Sequence, residues 1–242
     1  MEIVDLELQV RDLDLVQRKI QRLEKMAKSG DKEPKRQVGI LEKLVEHIEN
    51  FQNVRDFELP EPDRSLIIGD MYLLTDKPIM YVCNVDEAYA TTGNKYSNNV
   101  IKALEGSNAH LLVIAGKLES EIAEFDDQAE RMEFLTDAGL TEPGVNKMIR
   151  NAFDMLDLQY FFTAGPKEVR AWTIRKGSTA HQSAGAIHSD MERGFIRAEV
   201  IKYEDLIHYG SEHAVKEAGK FRVEGKNYIV QDGDILHIRF NV

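Results

Sequence analysis

The N-terminal part of the chain repeats apolar side chains at intervals of three or four, the spacing that places them along one face of a helix. One such series covers residues 6–27 and a second covers residues 41–51. Gly30 and Pro34 interrupt the pattern between the two series. We therefore predict a helix over residues 6–28, a turn, and a second helix that packs antiparallel against the first.

Residues 57–65 contain two prolines, which predicts a linker, and the pattern changes after them. Two short stretches follow that are apolar on both faces, at residues 78–85 and 110–116, with a helical pattern at 94–104 between them. Strands of this kind are typical of a parallel sheet covered by helices, and their spacing is that of a β-α-β unit. An amphipathic helix is predicted at residues 144–157.

From Tyr160 onward, short segments rich in β-branched and aromatic residues alternate with turn residues such as Gly165-Pro166. This pattern predicts a small mixed sheet with one or two helices. The predicted strands cover residues 160–164, 169–174, 184–188, 195–201, 226–230 and 235–242, and the predicted helix covers residues 213–220. The fold class of the whole chain is therefore α/β with several domains.

Charge is unevenly distributed along the chain. The 242 residues carry a formal net charge of −11, which taken alone argues against nucleic acid as a partner. Residues 17–36, however, hold eight Lys and Arg against three Asp and Glu. A basic projection on an acidic protein can still bind phosphate groups. The candidate contacts on it are Arg18, Lys19, Arg22 and Lys25, and the alternative is an ordinary solvated helix face.

The composition also predicts where the protein works. The single cysteine, Cys83, cannot form an internal disulfide, and its isolation favours a reducing compartment. No apolar run approaches the roughly 18 residues that span a bilayer. The N-terminus has no basic stretch of the kind that opens a signal peptide. We therefore predict a cytoplasmic protein that does not interact with membranes.

The end of the first buried strand carries a polar pair, Asn84 and Glu87. In open α/β sheets, ligands bind at the carboxyl ends of the strands. An Asn at this point can join neighbouring loops and contact a nucleotide base, and a carboxylate can accept N–H groups from the base. The loop after the second strand would supply Ala115, Gly116 and Lys117, whose small residues would let the backbone approach. The alternative is a strand-end loop with an Asx turn.

No phosphate-binding loop accompanies this pair. The pattern G-x-x-x-x-G-K-[ST] does not occur in the sequence. Gly116-Lys117 and Gly219-Lys220 are each followed by an apolar residue and lack the earlier glycine. The γ-phosphate of a nucleotide and its Mg²⁺ therefore have no binding loop in this chain.

A second group of basic residues lies on or between the short strands of the C-terminal region. Several arginines on one face of a sheet can contact the phosphates of a nucleic acid. The alternative is that these are ordinary solvated strand residues. The candidates are Arg170, Arg175, Lys176, Arg193 and Arg197.

Three C-terminal segments, FFTAGPKEVRAWTIRKG, GAIHSDMERGFIRAEVI and EAGKFRVEGKNYIVQDGDILHIRFNV, resemble the C-terminal signature of the YchF/Obg-like ATPase family. NVDE at 84–87 resembles its base-recognition motif, and IAGKLESEIAE at 114–124 resembles its fifth nucleotide motif. DLDLVQRKIQRLEKMAKSGDKE at 12–33 resembles its coiled-coil insertion. The resemblance covers essentially the whole chain, in order.

The resemblance implies three domains. Residues 1–65 would be an antiparallel coiled-coil hairpin, residues 66–158 the C-terminal half of a Ras-like P-loop domain, and residues 159–242 a β-grasp TGS domain. It also implies binding of ATP, less well of GTP, slow hydrolysis, Mg²⁺ in the intact protein, and association with RNA and with one or both ribosomal subunits. Val85 would offer its backbone to adenine, and Glu87 stands where ordinary G proteins have Asp.

The chain departs from the family because the P-loop, the switch regions and the magnesium ligands are missing. We therefore expect a fragment that is inactive in hydrolysis when alone, and whose half-sheet has an unpaired edge. Such an edge either pairs with another copy or leaves its surroundings poorly ordered. Two functional alternatives stay open beside the ATPase: an RNA- or ribosome-binding module without a nucleotide role, and a hairpin that serves only in dimerisation.

Overall fold

The computed structural model describes residues 2–27, 31–107, 109–165 and 168–241. The turns predicted at Gly30 and at Pro166 lie outside these ranges. The chain divides into two compact units, Met1–Ile79 and Met80–Val242. Among the described residues, no helix is long and apolar enough to cross a membrane.

The first unit is built on two helices that pack against each other, α1 (Glu2–Ala27) and α2 (Lys32–Glu49). They run antiparallel because only the short segment 28–31 separates them. The apolar series predicted from the sequence forms the interface: Val16 and Leu23 of α1 lie in one cluster with Leu41, Leu44 and Ile48 of α2. Both predicted helices are confirmed, with α2 beginning earlier than its apolar series.

The linker predicted at residues 57–65 is part of this unit instead. Phe57 and Leu59 pack against the helical cluster, and helix α3 (Asp63–Ile67) begins inside the segment. Arg64 donates hydrogen bonds to the carbonyls of Phe57 and Val54 and pairs with Asp76. The apolar cluster continues through Ile67, Ile68 and Leu73, so the unit extends beyond the boundary predicted at residue 65.

Two charged side chains of α1 hold this extension in place. Asp12 is fully buried and accepts hydrogen bonds from the backbone N–H groups of Leu74 and Thr75 and from Thr75 Oγ1, each at 2.7 Å. Lys19 Nζ donates to the Ile67 carbonyl at 2.8 Å and to Asp70 at 2.5 Å. Buried charges of this kind are tolerated because each is paired with hydrogen-bonding partners.

The second unit opens with a β-α-β arrangement. Strand β1 (Met80–Asn84) pairs in parallel with β2 (His110–Ile114), and helix α4 (Lys95–Ala103) lies between them in the chain. Asn94 caps α4 reciprocally with Ser97, which explains why the helix begins where the sequence predicted. Three helices follow: α5 (Gly116–Ala123), α6 (Gln128–Asp137) and α7 (Gly144–Met155).

A five-stranded mixed sheet completes the second unit. Its strands are β3 (Leu158–Ala164), β4 (Val169–Arg175), β5 (Phe195–Lys202), β6 (Arg222–Glu224) and β7 (Asp234–Phe240), in the order β4-β3-β7-β5-β6. β3 and β7 run parallel, and the other neighbours run antiparallel. Phe161, Ala198 and Leu236 form the buried centre of one face.

The C-terminal region contains more helix than predicted. The helices are α8 (Ala180–Ile187), α9 (Ser189–Arg193), α10 (Tyr203–Tyr209) and α11 (Glu212–Glu217). The strand predicted at 184–188 is wrong, because residues 184–187 lie in helix α8. Thr179 and Gln182 form the capping box at which this helix begins. The strand predicted at 226–230 reduces to one isolated bridge between Thr179 and Ile229.

A buried carboxylate fixes the start of β7. Asp234 is fully buried and accepts hydrogen bonds from Lys202 Nζ at 2.6 Å, Tyr228 Oη at 2.7 Å and the Gln231 backbone at 2.9 Å. Burial, together with the hydrogen bond to Asp234, raises the pKa of Tyr228 to about 12. The phenol therefore remains a donor throughout the physiological pH range.

We expect Asp12→Ala to destabilise the first unit strongly, because it leaves the buried Thr75 N–H and the partly buried Leu74 N–H without an acceptor, at up to ~1–3 kcal/mol for each. The matched control is Asp14→Ala, whose exposed pair with Arg18 is worth only ~0.3–0.5 kcal/mol. Urea unfolding followed by far-UV circular dichroism measures both. Equal shifts of the urea midpoint for the two variants would contradict the role of Asp12.

Candidate nucleotide-binding site

The ends of β1 and β2 place the predicted polar loops side by side. The parallel register pairs Asn84 with Ile114, the last residues of the two strands. The Val85 N–H donates to the Ile114 carbonyl at 2.8 Å, which continues the pairing one step past the strands. The loops that follow therefore start from fixed neighbouring points at the carboxyl edge of the sheet, where α/β proteins bind ligands.

The side chain of Asn84 joins the two loops directly. Its Oδ1 accepts a hydrogen bond from the Gly116 N–H at 2.8 Å. This bond fixes the orientation of the side-chain amide, whose Nδ2 group carries two N–H donors. A Cβ added at Gly116 would lie 3.1 Å from Oδ1, so an alanine here requires a shift of only a few tenths of an ångström.

These loops border an open pocket of about 740 Å³. Four of the predicted residues line it: Asn84, Val85, Glu87 and Lys117. Two do not: Ala115 is buried in the cluster beneath the loop, and Gly116 contributes through its bond to Asn84. The sequence prediction missed the remaining lining residues, which are Asp86, Ala88, Thr91, Asn94 and Ala138.

Four of the missed residues lie in the chain segment after β1, and the fifth, Ala138, lies at the end of α6. A 3-10 turn at Glu87–Tyr89 reverses the chain after β1. The Thr91 methyl group lies 3.6 Å from the position that a Cβ on Gly139 would take, so this segment packs beside the end of α6. Of these residues only Asn94 entered the sequence prediction, as the first residue of the helical pattern at 94–104.

The pocket is polar and mainly acidic. Asp86 and Glu87 are both exposed, and neither carboxylate has an ion pair or side-chain hydrogen bond within the described part of the chain. The Lys117 side chain, on the second loop, is 84% exposed, and its Nζ lies 3.6 Å from Glu121 Oε1. Carboxylates accept N–H donors and the Asn84 amide donates, so the pocket can hydrogen-bond a planar ring that carries both donors and acceptors.

A further hydrogen bond connects the first turn of α5, which follows the second loop, to the start of α7. Glu119, in the first turn of α5, accepts from the Gly144 N–H at 2.7 Å. A Cβ on Gly144 would lie 2.6 Å from the Glu119 carboxylate and 3.0 Å from Ile114 Cγ2, so only glycine fits there without displacement. The start of α7 is thereby held against the second loop of the pocket.

A magnesium ion finds no ligand set among the residues described. No group of three or more His, Cys, Asp or Glu side chains able to hold a metal occurs in those ranges. The Mg²⁺ implied by the family resemblance therefore has no assigned residues in the described part of the chain.

The candidate nucleic-acid contacts on α1 differ in their availability. Lys19 is a wrong prediction, because its side chain is 7% exposed and its ammonium is bound to Ile67 and Asp70. Arg18 is exposed but paired with Asp14 at 2.8 Å. Arg22 and Lys25 are exposed and have no ion pair in the described ranges. For these two residues the contact with nucleic acid stays a prediction.

The C-terminal candidates do not form one continuous basic face. Arg170 and Arg175 are an odd number of residues apart on β4 and so point to opposite sides of the sheet. Arg170 covers the Trp172 ring at 4.1 Å, and Arg193 pairs with Asp190. Arg197 lies 3.6 Å from Glu199.

The Lys176 side chain is also hydrogen-bonded within the protein. It donates to Asp154 at 2.8 Å, and this hydrogen bond raises the pKa of Lys176 and lowers that of Asp154. The positive charge of Lys176 is therefore largely matched within the protein. Arg175 remains exposed without an ion pair among the described residues.

Comparison with known proteins gives consistent matches. Residues 158–241 match the family model described as YchF-GTPase_C, Protein of unknown function (DUF933). Ribosome-binding ATPase YchF from Pasteurella multocida (strain Pm70) is 49% identical over 242 residues, which cover 100% of this chain and 66% of that protein. Obg-like ATPase 1 from Rattus norvegicus is 42% identical over 246 residues, which cover 100% of this chain and 62% of the relative.

Solved structures agree with the sequence matches. The Schizosaccharomyces pombe YchF GTPase superposes with a TM-score of 0.87 at 31% identity, over 98% of this chain and 64% of that chain. A GTP binding protein from Pyrococcus horikoshii OT3 superposes with a TM-score of 0.60 at 16% identity, over 99% of this chain and 70% of that one, which shows a shared fold alone. The predicted α/β class is thereby confirmed.

The chain spans just under two thirds of the length of the curated relatives that it matches. Within that span the similarity is continuous, because the matches cover the entire chain. From its pocket-forming loops to its C-terminal sheet, this chain belongs to the YchF/Obg-like ATPase family.

Proposed function

We propose that this chain supplies the base-recognition part of a ribosome-associated ATPase, and that its pocket binds ATP in preference to GTP. The observation that carries the proposal is the hydrogen bond between Asn84 Oδ1 and the Gly116 N–H, which joins the two loops at the pocket. It orients the Asn84 amide so that its donors remain available to a base. The names of the relatives, ribosome-binding ATPase and Obg-like ATPase, support the wider role.

The preference for adenine rests on the residue at position 87. Guanine is held in ordinary G proteins by an aspartate that accepts two N–H groups at once. Glu87 is one methylene longer, so its carboxylate does not reproduce that geometry, and a single contact with the adenine amino group suffices instead. Val85 is only 8% exposed, and its contribution to the pocket is therefore mainly its backbone.

We further propose the organisation that the resemblance implies: a coiled-coil hairpin, the second half of a Ras-like domain and a TGS domain of the β-grasp type, working in the cytoplasm. Slow ATP hydrolysis and ribosome binding would belong to the longer protein. This sequence holds no G-x-x-x-x-G-K-[ST] motif. Alone, the chain would bind the base with low affinity and hydrolyse ATP negligibly, because its sequence lacks this phosphate-binding motif.

Equilibrium titration of the purified chain with ATP and with GTP tests the base pocket. We expect ATP to bind more tightly, and Asn84→Ala and Glu87→Ala each to weaken ATP binding about tenfold, the size of one lost hydrogen bond. Glu133→Ala, an exposed change on α6, serves as the control. Unchanged affinity in both pocket variants would show that the base binds elsewhere.

Phosphate release at the rate of an intact relative would refute the inactivity of the isolated chain.

The second candidate function is binding to ribosomal RNA through α1. The observation that favours it is that Arg22 and Lys25 are exposed and without ion pairs in the described part of the chain, in a segment of high positive charge. Charges that contact phosphate release counterions on binding, so affinity would depend strongly on salt.

For this function we expect Arg22→Glu with Lys25→Glu to abolish most of the RNA binding and to reduce the slope of log K against log salt by about 0.7–0.9 for each lost phosphate contact. Lys43→Glu, an exposed change on α2, should leave the slope unchanged. Filter binding to ribosomal RNA at several salt concentrations measures both. Association that is independent of salt would exclude this mode.

We also propose that the two-stranded sheet supports self-association. Within the described residues β1 pairs only with β2, and Val82 on β1 is 43% exposed. An unpaired strand edge is a template for another strand.

Sedimentation should show concentration-dependent dimers that Val82→Lys reduces, since charge disfavours edge pairing. A strictly monomeric chain with full amide protection across residues 78–116 would contradict this, and dimers insensitive to Val82→Lys would favour the helical hairpin as the dimerisation surface.

A further inference from the structure

Helix α7 connects the back of the pocket to the C-terminal sheet. It begins at Gly144 and ends at Met155, and β3 starts at Leu158. Both ends of the helix are fastened by specific side chains in the second unit. α7 is therefore a physical link between the pocket loops and the sheet.

The first fastening is the hydrogen bond between Glu119 and the Gly144 N–H at 2.7 Å. Glu119 lies three residues after Gly116, which is one helical turn, and its own N–H donates to Ala115 at 3.0 Å. Gly116 is in turn bound to Asn84. A displacement of Asn84 on ligand binding would thus move the first turn of α5 and, with it, the acceptor that holds the start of α7.

The second fastening is at the other end of α7. The Phe153 ring lies 4.8 Å from the Tyr160 ring of β3. Asp154 accepts from Lys176 Nζ at 2.8 Å, and the Lys176 N–H donates to the Asp157 carbonyl at 2.7 Å. Lys176 follows the last residue of β4, so these contacts join the helix to the edge of the sheet.

We propose that Glu119 is a positioning residue for the pocket, and that through α7 it couples occupancy of the pocket to the edge of the C-terminal sheet. The proposal rests on the proposed function of the pocket. A packed helix transmits displacement because its hydrogen-bonded backbone resists bending, and coupling of this kind has to act equally in both directions. A purely structural Glu119, by contrast, would affect only its immediate neighbours.

Amide hydrogen exchange resolved residue by residue in the full chain separates these roles. In Glu119→Ala the Gly144 amide loses its acceptor, so it exchanges faster whether Glu119 is purely structural or also couples the two ends of α7. Coupling predicts in addition that the Lys176 amide, at the far end of α7, exchanges about fivefold faster or more. Glu119→Gln keeps an acceptor oxygen and should restore both amides, and Glu133→Ala should change neither.

The reverse experiment uses Asp154→Ala, an exposed change that leaves the pocket residues intact. Coupling predicts faster exchange of the Gly144 amide in this variant, because the effect has to be reciprocal. The proposal would be overturned if each amide responded only to the change at its own end of α7. In that case the exchange rate of Lys176 would not change in Glu119→Ala, and that of Gly144 would not change in Asp154→Ala.

Addition of ATP separates this inference from the proposed function. In the unmodified chain we expect ATP to slow exchange of the Gly116 and Lys176 amides together. In Glu119→Ala, ATP should still slow Gly116 but no longer Lys176, and a retained Lys176 response would overturn the coupling. If ATP leaves Gly116 unaffected in the unmodified chain, the proposed function fails, and the ligand-free comparison above still decides whether α7 couples its two ends.

Discussion

The hydrogen bond from the Gly116 N–H to Asn84 Oδ1 is the constraint on which the pocket depends. β1 and β2 place their ends side by side, but the loops beyond them have no regular backbone pairing after Val85. One side-chain amide therefore sets the distance between the two loops and, at the same time, the direction of its own remaining donors. Because α5 starts at Gly116, the same bond also fixes where that helix begins.

Carboxylates inside the protein act as acceptors for backbone and side-chain donors that would otherwise be unsatisfied. Asp12 does this for residues 74 and 75, Glu119 for Gly144, and Asp234 for Lys202 and Tyr228. Glu199 is held by Arg239 through two hydrogen bonds, which lower the pKa of its carboxyl group. Part of the acidic composition is thus structural.

Elements with a strong local signal were predictable from the sequence. The three-four spacing predicted α1 and α2, the paired apolar stretches predicted β1 and β2, and the helical pattern between them predicted α4. The errors occurred where tertiary contacts outweigh local pattern. Two prolines made residues 57–65 resemble a linker, although Phe57 and Leu59 pack against the core and Arg64 donates a hydrogen bond to the Phe57 carbonyl. Small apolar residues at 184–188 resembled a strand, although the capping box at Thr179 starts a helix.

The pocket was half predictable for the same reason. Asn84, Glu87 and Lys117 follow directly from strand ends, whereas Thr91 and Ala138 reach the pocket only through the turn after β1 and the end of α6. The role of Glu119 was equally hidden, because its partner Gly144 is distant in sequence and contributes only a backbone N–H. No residue type at either position signals such a contact.

The burial of Lys19 changes how the basic stretch of α1 presents itself to reagents and enzymes. Of its four cationic side chains, one is enclosed and bound to the Ile67 carbonyl and Asp70. Acetylation of lysines along this helix would accordingly reach Lys25 while the native fold persists, and would reach Lys19 only after the segment around Ile67 has detached. Modification of that one amine would then report the opening of the first unit.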